Sequence, residues 1–99
     1  MIERHWRGLA RREHANEYVA HLRRDTFPQL ERIAGFLGAS ILRRDVAAGV
    51  EFLVVTRWKS LRAIQAFAGQ DAELAVVPVD VQRMMVEYDA RARHYEATG

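Results

Sequence analysis

The stretch Val50-Glu51-Phe52-Leu53-Val54-Val55-Thr56-Arg57-Trp58 decides the fold. Val50, Phe52, Val54 and Trp58 share one parity and Leu53 and Val55 the other, so an extended segment here is apolar on both faces. A strand covered on both sides belongs inside a sheet and not at a solvated edge. Upstream, Phe36 to Arg44 reads as a second extended run, separated from the first by Asp45-Val46-Ala47-Ala48-Gly49, a hairpin-like linker. The two runs are expected to pair antiparallel. Downstream, Ser60 stands where a helix N-cap belongs, and Leu61, Ile64, Phe67 and Ala68 define a short amphipathic helix that ends at Gly69.

Working outward, Ile2 to Ala10 is short and mixed enough for a first strand. Residues 11 to 27 carry Ala15, Tyr18, Val19 and Leu22 at the spacing of one helical face. Pro28 is expected to stop or kink that helix, with Leu30 and Ile33 packing a following turn, and Gly35 releases the chain into the next strand. Residues 70 to 83 read as a loop with one or two irregular helical turns around Pro78 and Asp80. Met84 to Ala97 alternates Val86 and Tyr88 against Glu87 and Asp89 and predicts a fourth strand, bulged near Ala90. The order strand, helix, strand, strand, helix, strand predicts an α+β, ferredoxin-like βαββαβ sandwich over residues 1–99 with a four-stranded antiparallel sheet. Right-handed crossovers favour the spatial order 4-1-3-2, with the third strand central.

Composition adds bounds. A chain of 99 residues, 49% hydrophobic, is a folded domain and not a disordered tail. A chain this short hides only about 65% of the surface its unfolded form exposes. Two helices cover one sheet face only, so a second copy is expected to cover the other as a homodimer. The absence of cysteine removes disulfides, thiolate nucleophiles and cysteine-based metal sites. No signal peptide and no apolar run of membrane-spanning length is present, which predicts a soluble cytoplasmic protein without a membrane partner. The net charge is +2 and 14 of the 15 basic residues are arginine, yet the doublets Arg11-Arg12, Arg23-Arg24 and Arg43-Arg44 are scattered and interrupted by acids. Nucleic acid is not expected as a partner.

The run Phe52 to Ser60, followed by Ala63-Ile64 and Phe67-Ala68-Gly69, resembles the central signature of the antibiotic biosynthesis monooxygenase family. Arg4-His5-Trp6-Arg7-Gly8 and Arg93-His94-Tyr95-Glu96 resemble the two ends of one branch of that family. The resemblance implies a dimeric α+β barrel of two ferredoxin-like protomers, each with a pocket between sheet and helices. The haem-degrading members of the family combine a tryptophan at the Trp58 position with an asparagine on the first strand and a histidine near the end of the second helix. Here Ile2 to Ala10 has no asparagine, and no histidine occurs between Thr56 and Val86. The cofactor-free members acting on aromatic polyketides use an asparagine four residues before that tryptophan and a tyrosine just after it. This chain has Val54 there and no tyrosine in residues 59 to 69.

The expected ligand is a planar, mostly apolar molecule of aromatic or quinol-like type, with Trp6, Trp58, Phe67 and Tyr88 as pocket walls. Trp58 either lines the pocket or plugs the end of the core. Trp6 either faces Trp58 and Phe67 across the pocket or covers the dimer interface. His94, on the last strand, is the candidate general base, with a hydrogen-bonded histidine at the sheet edge as the alternative. Arg57 is either a rim charge or a pocket anchor for an anionic oxygen. His14 and His21 are seven residues apart on one helical face, too distant for one metal ion, and are expected at the surface. His5 is expected on the sheet face opposite Trp6. No metal and no cofactor is expected, and a cofactor-independent oxygenation is the enzymatic possibility. Haem degradation is the less favoured one. The rival is a non-catalytic ligand-binding or dimerisation module of the same fold.

Overall fold

A computed structural model describes residues 1–99. Strand β1 (Ile2–Ala10) is followed by a 3-10 turn (Arg12–His14), α1 (Ala15–His21), a π-turn (Leu22–Thr26) and α2 (Phe27–Glu31). Then come β2 (Phe36–Val46), β3 (Gly49–Trp58), α3 (Leu61–Ala68), α4 (Val79–Met84), β4 (Met85–Tyr88) and β5 (Arg93–Glu96). The antiparallel sheet runs β2-β3-β1-β4, and β5 continues the β4 row alongside β1. This is the ferredoxin-like α+β order, with β3 and β1 interior. The two-sided apolarity of β3 thus has its cause in position: β1 pairs on one side, from Ile2 opposite Trp58 to Ala10 opposite Val50, and β2 on the other.

Three local details differ from the sequence reading. The β2–β3 strands run on to Val46 and Gly49, so the hairpin loop shrinks to two residues, 47 and 48. Gly49 has φ of +156°, and a Cβ there would lie 2.3 Å from the carbonyl oxygen of Ala10, so only glycine admits the close approach of β1. Pro28 does not end the first helical segment. The Phe27 N–H reaches back to the Leu22 carbonyl, one residue farther than in an α-helix. A proline at 28 can neither donate to the Arg24 carbonyl nor sit against it, and the wider turn relieves that clash while the chain stays helical to Glu31. The last strand is broken over residues 89–92, a larger interruption than a bulge.

That break has a structural use. The Ala75 N–H donates to the Ala90 carbonyl (3.0 Å), the Ala92 N–H to the Glu73 carbonyl (2.7 Å), and Arg91 chelates Asp71 (2.8 and 3.0 Å). The main chain that would have continued the ladder instead fastens the loop between α3 and α4 over the sheet.

Side chains on the helix-covered face form two clusters. The larger gathers Tyr18, Leu22, Phe52, Val54, Val81 and Met84, among others, and the smaller gathers Leu30, Trp58, Ala63, Ile64 and Ala72. Phe27 touches both. The opposite face is not a bare apolar sheet. Glu51 accepts from Arg7 and Arg44 (both 2.7 Å), Arg57 lies 3.4 Å from Glu3, and Leu42 stands exposed. Fixed ion-pair geometry with aliphatic side chains between is compatible with self-association but is less apolar than expected.

Candidate functional site

The seam between the two clusters is a small cavity of about 70 Å³. Its floor is the inward parity of β1 and β3: Arg4, Trp6, Val54 and Thr56. Its wall is one face of the first helical segment, Tyr18, His21, Leu22, Thr26, Phe27 and Leu30, and Phe67, Val76, Pro78 and Val81 close it from α3 and the α3–α4 region. The π-turn lies along this wall, and its two end residues, Leu22 and Thr26, both line the cavity.

Trp6 lies over Gly8: a Cβ on that glycine would come within 2.6 Å of the indole ring. Its Nε1–H donates to the Asp89 carbonyl (2.9 Å), in the strand break, and it stands between Tyr18 and Tyr88 at 6.3 and 6.2 Å. The absence of a side chain at position 8 and the kink at 89–92 therefore set the ring's plane.

Arg4 is 95% buried, with a relative exposure of 5%. Its guanidinium donates to the carbonyls of Ala72 and Leu74 and to His94 Nε2 (2.9 Å), and stacks 5.7 Å above Phe67. Arginine has no acceptor, so His94 Nε2 carries the lone pair and the proton sits on Nδ1. Burial first, and then the positive charge of Arg4, push the His94 pKa below the usual histidine value. Arg4 thus bonds two carbonyls and a neutral ring, with the Glu73 carboxylate acting on it only through space, and it pins the cavity roof at Ala72 and Leu74.

Among the residues expected at the pocket, Trp6 and Phe67 border the cavity together. Trp58 does not: it is fully buried beneath it, stacked 6.1 Å from Phe67 and edge-on to Phe36 at 5.2 Å, with Nε1–H donating to Thr56 Oγ1 (2.8 Å). Tyr88 packs on the outer side of Trp6 and is 36% exposed. Arg57 lies on the other sheet face, bonded to Ser40 (3.0 Å) and Glu3. His94 stands behind Arg4 and does not border the cavity. His5 is on the outer face, 5.0 Å from Tyr95.

His21 corrects an expectation. It is 5% exposed and lines the cavity, because it follows Tyr18 by three positions and so shares its helical face. His14, by contrast, is at the surface, paired with Glu17 (2.9 Å). Arg4 and Thr56 were also not singled out, although the parity of Trp6 and Val54 placed them inward. No group of three histidine or carboxylate side chains converges as a metal site.

A ferredoxin-like sheet with a cavity under its helices defines the class of protein. The antibiotic biosynthesis monooxygenase family model matches residues 1–78. The chain belongs to that family. A crystal structure of a candidate antibiotic biosynthesis monooxygenase from Bacillus cereus shares the fold, with a TM-score of 0.65 and 20% identity over 99% of this chain and 91% of that one. No curated protein matches the sequence. No helix is long and apolar enough to cross a membrane.

Proposed function

We propose that the protein binds a planar, mostly apolar aromatic or quinol-like molecule in this cavity and serves its cofactor-free oxygenation. The observation that carries the reading is the seam itself, an open space walled by Trp6, Phe67, Phe27 and aliphatic side chains with polar groups at defined points. Aromatic walls suit a flat ring, and Arg4, bonded to no carboxylate, offers positive charge to an enolic or phenolic oxygen. His94 takes part through Arg4, as a neutral acceptor that orients the guanidinium; it is a positioning residue in this arrangement. A phenol or enol that has lost its proton is electron-rich enough to react with dioxygen directly.

The second reading, a non-catalytic ligand-binding module, draws on Val54 standing where the polyketide-oxidising members have asparagine. A homodimer formed through the ion-paired sheet face belongs to both readings, since the family is usually dimeric.

Titration with hydroxyanthrones and quinols, followed by quenching of tryptophan fluorescence and by oxygen uptake, tests the proposal. Saturable quenching that Val54→Phe abolishes by filling the cavity, with uptake proportional to protein, is the expected result. Saturable quenching without uptake supports the module. No saturable quenching by any planar ligand overturns both. Added haem is expected to leave the Soret band unshifted.

A further inference from the structure

We infer that His21 is the proton acceptor of the cavity, taking the proton of a weakly acidic ligand hydroxyl on Nε2 while Asp25 and Asp80 hold the ring from the other side. The inference rests on the ligand-binding reading above and deepens it by naming the group that ionises the phenol or enol.

Three observations carry it. His21 is a 95% buried imidazole (relative exposure 5%) on the cavity wall. Its Nδ1 has no hydrogen-bond partner, yet lies 3.3 Å from Asp25 Oδ2 and 3.8 Å from Asp80 Oδ2. Buried polar atoms are nearly always satisfied, so an orphan between two carboxylates marks a group whose partners engage when its charge changes. His21 lines the cavity, and Nε2 is the ring nitrogen that does not face the two carboxylates, so Nε2 is assigned to the ligand. A ring with carboxylates at one nitrogen and a binding space at the other has the arrangement of an oriented general base.

Elimination points the same way. The titratable side chains on the cavity are Arg4, Tyr18 and His21. Arg4 can only donate. Tyr18, on the same helix, is driven by burial to hold its proton far above neutral pH, so its hydroxyl is a donor too. Of the three, only the imidazole carries a nitrogen that can take up a proton. The charged groups around it are Asp25 in the π-turn, Asp80 on α4 and Arg24, which chelates Asp25 from the solvent side (2.9 Å). The step is a proton transfer only: the ligand O–H breaks, an Nε2–H forms, and the imidazolium is met by Asp25 and Asp80 while the oxyanion keeps the electron pair. Asp25 and Asp80 act through the ring and are positioning residues.

The test uses 4-nitrophenol, a small planar phenol whose neutral and ionised forms differ in colour, with ^15N-labelled protein. Bound probe is expected to ionise about tenfold more readily than free probe, a shift of about one pH unit. The His21 ring nitrogens are expected to take imidazolium shifts in step with the colour change. His21→Gln is expected to lose the colour shift in whatever probe it binds. Asp25→Asn is expected to reduce it. An undiminished shift in folded His21→Gln, or a neutral His21 beside an ionised probe in the wild-type complex, overturns the inference while leaving ligand binding intact. Absence of probe binding to wild type removes the reading beneath it. The nitrogen measurement on wild type decides the matter even if His21→Gln fails to fold.

Discussion

Trp58→Phe separates packing from ligand contact at the residue that most resembles a site tryptophan. The ring is 0% exposed between Phe36 and Phe67, and Trp58 does not border the cavity. Phenylalanine keeps one aromatic ring and removes the rest of the indole with its N–H. Losing the bond to Thr56 costs about 1 kcal/mol net. The void left in a close-packed cluster costs about 1–2 kcal/mol more. The sum, about 2–3 kcal/mol, is a large fraction of the stability of a domain this size and lowers Tm by about 10–20 °C. Thermal unfolding followed by far-ultraviolet circular dichroism, at one fixed protein concentration because self-association adds to Tm, measures it. Hydroxyanthrone affinity, read from Trp6, is expected to stay within about threefold. A Tm change below about 3 °C together with an affinity loss of about tenfold or more, equivalent to about 1.4 kcal/mol, would refute the reasoning and return Trp58 to the ligand site.

Two further outcomes follow from the same geometry. His94 is held neutral by burial and by Arg4, so below about pH 6.5 the unfolded chain binds a proton that the folded chain refuses until lower pH. Its contribution is therefore intact above that value and is lost as the pH falls toward the folded pKa. Urea unfolding at pH 7.5 and 5.5 should show wild type losing more stability than His94→Gln, which keeps an acceptor for Arg4; equal losses would contradict the assignment. The carboxylates of Glu3, Glu51 and Asp71, lowered chiefly by hydrogen bonds to His5, Arg44 and Arg91 respectively, act in a separate and more acidic range. For the assembly, Leu53→Glu sets a carboxylate beside Glu51 on the outer face and is expected to yield monomer in sedimentation equilibrium at micromolar concentration. A wild-type protein that sediments as monomer under the same conditions would remove the homodimer.

The strand order was legible because β3 announces its neighbours: a nine-residue run apolar on both parities has few places in a small sheet. Ser60 was legible as a cap, and its Oγ accepts the Ala63 N–H (3.2 Å). At Pro28 the local rule allows a stop or a kink, and the chain takes neither a full stop nor a regular α-helix but a wider turn that packing of Leu22 and Phe27 rewards. His94 was attractive as the ionisable residue on a strand next to the pocket. Its alternation was readable, but the length of Arg4 was not: a guanidinium reaches farther than an imidazole and fills the space in front of it. The burial of His21 is carried by its three-residue spacing from Tyr18, whereas its seven-residue spacing from His14 speaks only to metal binding.

The amino-acid sequence by itself determined the alternation of elements, the central place of β3, the cap at Ser60 and the family signature, because each depends on residues close along the chain. Which side chains meet at the cavity was decided only in three dimensions. Arg4 with Ala72, Leu74 and His94, Trp6 with Asp89, and His21 with Asp80 are contacts between segments brought together by sheet pairing and by the break at 89–92. The physical reason is that periodicity reports which way a side chain points, whereas a site depends on how far it reaches and what already occupies the space it enters.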